Sequence, residues 1–237
     1  MKFKAFTNWC KGLTHVANCD NSQRAGFTLA EVLITLGIIG VVAALTMPSL
    51  IENHRKKEVV TKLKAFNSIM GQAFQMSKEE NGDWDTWDGN RFGNGGEGYD
   101  WTSGDGEKQL EWLQKYVLPY MKVTETTTKG KYAIVGLPNG TGFSNYNQIY
   151  FFCLKFKDCK EVTETWNSRD RFIFEFSNSK GFITYGGNYS SREAIMNGNG
   201  SGHACNKTKG KGLCAKLIDM IPKSPRPFSS FFSDIPL

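Results

Sequence analysis

Few side chains in this sequence are placed to do chemistry, and the most conspicuous is a carboxylate in an apolar setting. Glu31 is the only charged residue between Phe27 and Met47, a run otherwise made almost wholly of Leu, Ile, Val, Ala, Gly and Phe. Such a charge inside a bilayer costs up to a few kcal/mol, so it is expected near the interface or beside a partner. Just upstream, Arg24-Ala25-Gly26-Phe27 is an abrupt polar-to-apolar junction. Cleavage there leaves the apolar run on the product, the reverse of signal-peptide processing, which cuts after the apolar region. Further along lie Cys153, Cys159, Cys205 and Cys214. An even count in an oxidising compartment reads as two disulfides. Three pairings are possible, and chain proximity alone favours Cys153 with Cys159 and Cys205 with Cys214. Cys10 and Cys19 precede the junction.

Enzymatic constellations are hard to find. Beyond the junction only His54 and His203 remain, and no GxSxG elbow, HExxH pair or GxxxxGK loop occurs. The reading is therefore not an enzyme. Asp83, Asp85, Asp88 and Asn90 suggest a calcium loop. However, the third acid and Gly89 are shifted by one from the DxDxDG pattern, and no glutamate stands at its twelfth position. The expectation is no cofactor and no metal, with calcium the one weak alternative. Zinc lacks a close CxxC pair. Lys207, Lys209 and Lys211 fit no phosphate-loop spacing and read as a solvated loop.

The elements that carry these residues follow from periodicity. As a helix rising about 1.5 Å per residue, Phe27 to Met47 spans roughly 31 Å, the thickness of a hydrocarbon core. Lys2, Lys4, Lys11 and Arg24 upstream, against Asp20 alone, favour a cytoplasmic N-terminus and an extracytoplasmic C-terminal domain. Pro48 lacks a backbone donor and is expected to kink the helix. Beyond it Val59, Leu63, Phe66, Met70, Ala73 and Phe74 recur at three- and four-residue steps, with Lys56, Lys57, Lys62, Lys64 and Gln72 on the other side. The spacing predicts one helix to about Glu80, stopped by Asn81-Gly82. His54 and Arg55 read as an interfacial polar cluster.

A loop over 82–106 follows, with Trp84, Trp87 and Trp101 folding back on the domain, then a second helix over Glu107–Met121 with Leu110, Leu113, Tyr116, Val117 and Tyr120 on one side. Thr124–Lys131 reads as a polar connection. From there the period is two: strands over Tyr132–Leu137, Ile149–Phe156, Arg171–Phe176 and Phe182–Tyr185, the last two a hairpin. A glycine-rich excursion over 188–212 leads to a last edge strand over Leu213–Ile221 and a Pro/Phe-rich tail over 222–237. The fold class is α+β, a long N-terminal helix packed on a small antiparallel sheet. The net charge of +6 falls to about +3 without residues 1–26, so no nucleic-acid partner is expected.

GFTLAEVLITLGIIGVVAALTMPSL, residues 26–50, resembles the N-terminal segment of type IV prepilins and type II secretion pseudopilins. The resemblance implies a pilin-like fold and a leader, residues 1–26, removed after Gly26 by a prepilin peptidase that then methylates the Phe27 amine. It implies that Glu31 and Pro48, matching the family's acid and helix-kinking proline, act in assembly. The partners implied are the peptidase, other pilin or pseudopilin subunits in a helical filament, and an inner-membrane assembly platform. The domains expected are the leader, a membrane helix over 27–48, its amphipathic continuation over 49–81, a globular domain over 82–221 and the tail. An ordinary signal peptide cut after Ala44, or an uncleaved anchor, leaves Glu31 unexplained. The alternative function is a membrane-anchored binding module that never polymerises, using exposed Trp84, Trp87 and Trp101 to contact a glycan or protein.

Overall fold

A computed structural model describes residues 27–87, 105–161, 168–177, 179–198, 204–206 and 212–220. The chain divides after Pro48 into two compact units. Helix α1, Leu29–Asn81, contributes residues to both and includes Pro48. In the first unit its side chains are apolar on every side, save Glu31, Thr35 and Thr46, and none is buried. This is the one described helix long and apolar enough to cross a membrane.

In the second unit α1 becomes two-faced. The expected stripe of Val59, Leu63, Phe66, Met70, Ala73 and Phe74 is buried, joined by Val60 and Ser77. Lys56 departs from its expected place among the solvated cations: it is buried. Its ammonium reaches Glu52 at 2.6 Å, one turn back, while its stem lies along the apolar side. The helix stops where expected, with Gly82 at φ +82° and its N–H donating to the Lys78 carbonyl.

Six antiparallel strands follow chain order across one sheet: β1 Glu125–Lys129, β2 Tyr132–Gly136, β3 Gly142–Tyr146, β4 Ile149–Cys153, β5 Arg171–Ser177 and β6 Gly181–Thr184. Register sorts their side chains by the two-residue period. Val135, Phe143, Phe152 and Phe172 line up across β2 to β5 and join the core with α1. Tyr132, Ile134, Phe151 and Ile173 form a second cluster. The ring of Phe66 meets those of Phe143, Phe152, Phe174 and Phe182 at centroid distances of 5.6, 4.5, 5.0 and 5.6 Å.

The smaller elements differ more from expectation. The polar connection over Thr124–Lys131 is instead edge strand β1, because its threonines fit a half-exposed pleat and β2 supplies the ladder. The strand expected over Ile149–Phe156 ends at Cys153, and Phe156 opens helix α3, Phe156–Glu161. A side chain at Gly142 would strike the Phe156 ring and the Val135 carbonyl, so the bare cross-strand pair Gly136–Gly142 makes the floor on which that ring rests. Helix α2 occupies Gly106–Tyr116, capped by Asp105, whose carboxylate accepts from Glu107 N–H. Pro119 falls in a separate 3-10 turn, Leu118–Tyr120. Gln109 and Trp112 take core positions on α2, whereas Leu110 and Tyr120 are half-buried. Helix α4, Arg192–Asn197, interrupts the expected excursion. The expected last strand is a 3-10 helix, Cys214–Met220, with Leu213, Cys214, Ala215, Leu217 and Ile218 all buried. That near-continuous burial is not the alternation of an edge strand. The expected tail lies outside the described residues.

Two disulfides brace the small elements. Cys153–Cys159 ties β4 to α3 with Cα atoms 5.8 Å apart, and Cys205–Cys214 ties 204–206 to the 3-10 helix at 4.7 Å. Both close short loops, of 6 and 9 residues of separation. Each should contribute about 2–3 kcal/mol through the unfolded chain. Replacing Cys205 and Cys214 together by Ala should therefore lower the unfolding free energy by about 2–3 kcal/mol in a denaturant titration of the detergent-solubilised protein.

Tyr150 lies wholly inside the core among Phe74, Phe143 and Phe182, and its hydroxyl has no hydrogen-bond partner among the described residues. Burial also pushes its ionisation well above the usual tyrosine range. Tyr150→Phe should thus raise stability by about 1 kcal/mol near neutral pH. The gain should widen above about pH 10, where unfolded tyrosine ionises but the buried hydroxyl stays neutral, so the wild type loses stability as pH rises. Urea titrations at neutral and alkaline pH measure both effects.

Candidate functional site

The residues that carry the chemistry of the sequence gather at the start of α1. Gly26 lies outside the described residues. Phe27 and Thr28 precede the first helical residue, and Phe27 is 86% exposed. Thr28 is the N-cap of α1. Its hydroxyl oxygen accepts from Glu31 N–H at 3.2 Å, and the Glu31 carboxylate accepts from Thr28 N–H and from the Thr28 hydroxyl, each at 2.8 Å. This is a reciprocal capping box, in which the N-cap hydroxyl serves the third helical N–H and the third side chain serves the N-cap N–H.

The capping box gives the acid in the apolar run a local reason. The partner expected for Glu31 is Thr28, whose N–H and hydroxyl both donate to its carboxylate. Thr28-Leu29-Ala30-Glu31 is the T-x-x-E signature that precedes an apolar run, and it was legible without the structure. The same economy recurs along the apolar segment. Thr35 donates its hydroxyl to the Val32 carbonyl at 3.0 Å and Thr46 to the Val42 carbonyl at 2.9 Å. Both hydroxyls are thereby satisfied without water, as lipid demands. Pro48 sits inside α1, with helix on both sides.

The other candidate residues take structural places. Arg55 pairs with Asp170 at 3.0 Å, and both are roughly two-fifths exposed. The pair borders a cleft shared with Ile51, His54, Glu58 and Leu154, in which Glu58 also binds Lys62 at 2.7 Å. That hydrogen bond and charge hold the Glu58 carboxyl below the usual range. Asp83 pairs with Lys78 at 2.7 Å, while Asp88, Asn90, His203, Lys207, Lys209 and Lys211 lie outside the described residues. Among the described residues no group of three His, Cys, Asp or Glu side chains converges on a metal position.

Trp84 and Trp87 do not form an exposed platform. Trp87 is buried, stacked on Tyr116 at 4.6 Å, and its indole N–H donates to the Gly82 carbonyl. Trp84 is half-buried edge-on to Phe176, with the Lys78 ammonium 4.7 Å from its ring centre. A glycan-binding surface built on these two rings is therefore not available; they extend the core from the end of α1. Trp101 lies outside the described residues.

With this geometry in view, residues 21–47 match the prokaryotic N-terminal methylation motif. Residues 49–223 match a family of unknown function, DUF6613. No curated protein and no solved structure matches the chain.

Proposed function

The chain belongs to DUF6613, a family of unknown function, and its N-terminus is a prepilin-type leader; from that premise we propose that it is a structural subunit of a type II secretion pseudopilus or type IV pilus. The observation that carries the reading is the methylation motif over residues 21–47, which runs into a helix whose apolar half has no buried residue among those described. In this reading a prepilin peptidase cuts after Gly26 and methylates the Phe27 amine. The apolar half of α1 then anchors the subunit in the inner membrane, N-terminus in the cytoplasm, until an assembly platform transfers it to a filament. Outside lipid an apolar helix is kept from water by packing against copies of itself, which makes the filament core a bundle of α1 segments.

Glu31 keeps a role in this reading, although its capping bonds mean that its presence alone does not demand a partner chain. The methylated amine of a neighbouring Phe27 is a cation that its carboxylate can accept once helices pack together. A desolvated pair of that kind sets register more than it adds stability.

The first experiment is the N-terminal mass of the membrane-extracted protein from cells with and without prepilin peptidase. The expected product begins at N-methylated Phe27 only when the enzyme is present. A start at Leu45, or an intact Met1 in both strains, would overturn the proposal. In addition, Glu31→Ala should insert and be cleaved like the wild type while its recovery in cross-linked filament falls by at least about tenfold, the equivalent of ~1.4 kcal/mol. Equal incorporation of variant and wild type would remove the assembly role of Glu31.

A further inference from the structure

We propose that Thr28 is a positioning residue for N-terminal processing: by capping α1 it fixes where the helix begins and keeps Phe27 in non-helical backbone, open to the enzyme. The inference rests on the proposed function, which places the cut and the methylation at Phe27.

The segment ahead of the helix does not supply such a boundary unaided. Arg24 and Ala25 are good helix formers, and Gly26 alone is a weak stop. A helix starting at the edge of a bilayer has N–H groups without partners, and lipid offers none. Extending the helix by a further turn toward the N-terminus is the ordinary way to satisfy them. Here two of those groups are already held within the first turn. The Thr28 hydroxyl takes the Glu31 N–H, and the Glu31 carboxylate takes the Thr28 N–H. The first helical hydrogen bond, Val32 N–H to the Thr28 carbonyl at 3.3 Å, follows directly. Leu29 is consequently the first helical residue, and Phe27 stands two residues outside, almost fully exposed.

The position matters because a peptide bond inside a helix has its N–H and C=O committed to neighbouring turns. It cannot be drawn out in a hydrolytic cleft, nor can its carbonyl be polarised, without first unwinding. Proteolytic cuts accordingly concentrate where the chain is exposed and non-regular. After the cut, the same geometry leaves the Phe27 amine outside the helical hydrogen bonds, where a methyl group can be delivered to it.

Valine matches threonine in shape but lacks the capping oxygen, so Thr28→Val is the informative variant. Cleavage of the full chain is followed by N-terminal mass in membranes containing prepilin peptidase, scoring only carbonate-resistant, membrane-integrated protein so that a loss of insertion is not counted. Thr28→Val is expected to slow the initial rate about fivefold, the equivalent of a cap of ~1 kcal/mol. Thr28→Ser and Thr28→Asn, both good caps, are expected to stay within about twofold of the wild type. An undiminished rate for Thr28→Val would overturn the proposal. So would restoration by Ser without restoration by Asn, which would mean that the enzyme reads the hydroxyl itself. A wild-type chain left uncut at Gly26-Phe27 would instead refute the proposed function, whereas a cut wild type with an unaffected valine variant refutes only the positioning role.

Discussion

The ring of Phe66 is the point at which the helix and the sheet share one core. Four phenylalanines, one each from β3, β4, β5 and β6, place their rings around it, with Phe152 stacked and Phe174 and Phe182 edge-on. A buried phenylalanine is worth about 1.5–3 kcal/mol by area alone, and aromatic pairs add to that. Eight residues later Phe74 repeats the arrangement, stacked on Phe176 at 4.2 Å and edge-on to Tyr150. Between them the two rings pin α1 to four of the six strands. Trp87, Trp112 and Tyr116 then carry the aromatic core from the end of α1 onto α2.

Polar groups in apolar surroundings are handled differently in the two units. In the apolar half of α1, Thr28, Glu31, Thr35 and Thr46 bond to their own turn, the only solution that works in a medium without water and without a neighbour. Inside the globular unit, long-range partners are available. Gln109 on α2 donates to Asn145 on β3, and Asn145 in turn donates to the Asn147 and Ile149 carbonyls. That network fixes the β3–β4 turn, where Asn147 holds a positive φ of 54° and is itself buried. Tyr150, just after that turn, has no such partner among the described residues, and its hydroxyl opposes the burial that its ring favours.

The sequence was most informative where one period held for several turns or residues. The three- and four-residue stripe of α1 and the alternation of Phe172, Phe174 and Phe176 were plain because one solvent boundary dictates every position. Strand β3 was missed because Gly142-Phe143-Ser144-Asn145-Tyr146 carries few strand formers; its pairing with β2 and β4 supplies what propensity lacks. The 3-10 helix over Cys214–Met220 was read as a strand because seven residues hold too few turns to separate the two periods. At the N-terminus the cleavage junction and the charge of Glu31 stand out in the sequence, whereas the cap lies in the three-residue spacing of Glu31 from Thr28.

The basic residues around the apolar segment pull in opposite directions. Four precede it, yet Arg55, Lys56, Lys57, Lys62 and Lys64 follow within twenty residues of Pro48. In the folded unit Arg55, Lys56 and Lys62 are held by Asp170, Glu52 and Glu58, but the tie to Asp170 spans 115 residues and cannot exist while the chain is being inserted. At that stage the downstream cations outnumber those of the leader. The positive-inside bias nevertheless acts on short flanking segments, while large domains translocate largely regardless of charge. The downstream unit carries the whole six-stranded sheet, a domain of the kind that translocates regardless of its charge. The cations that bear on the proposed cytoplasmic N-terminus are therefore Lys2, Lys4, Lys11 and Arg24.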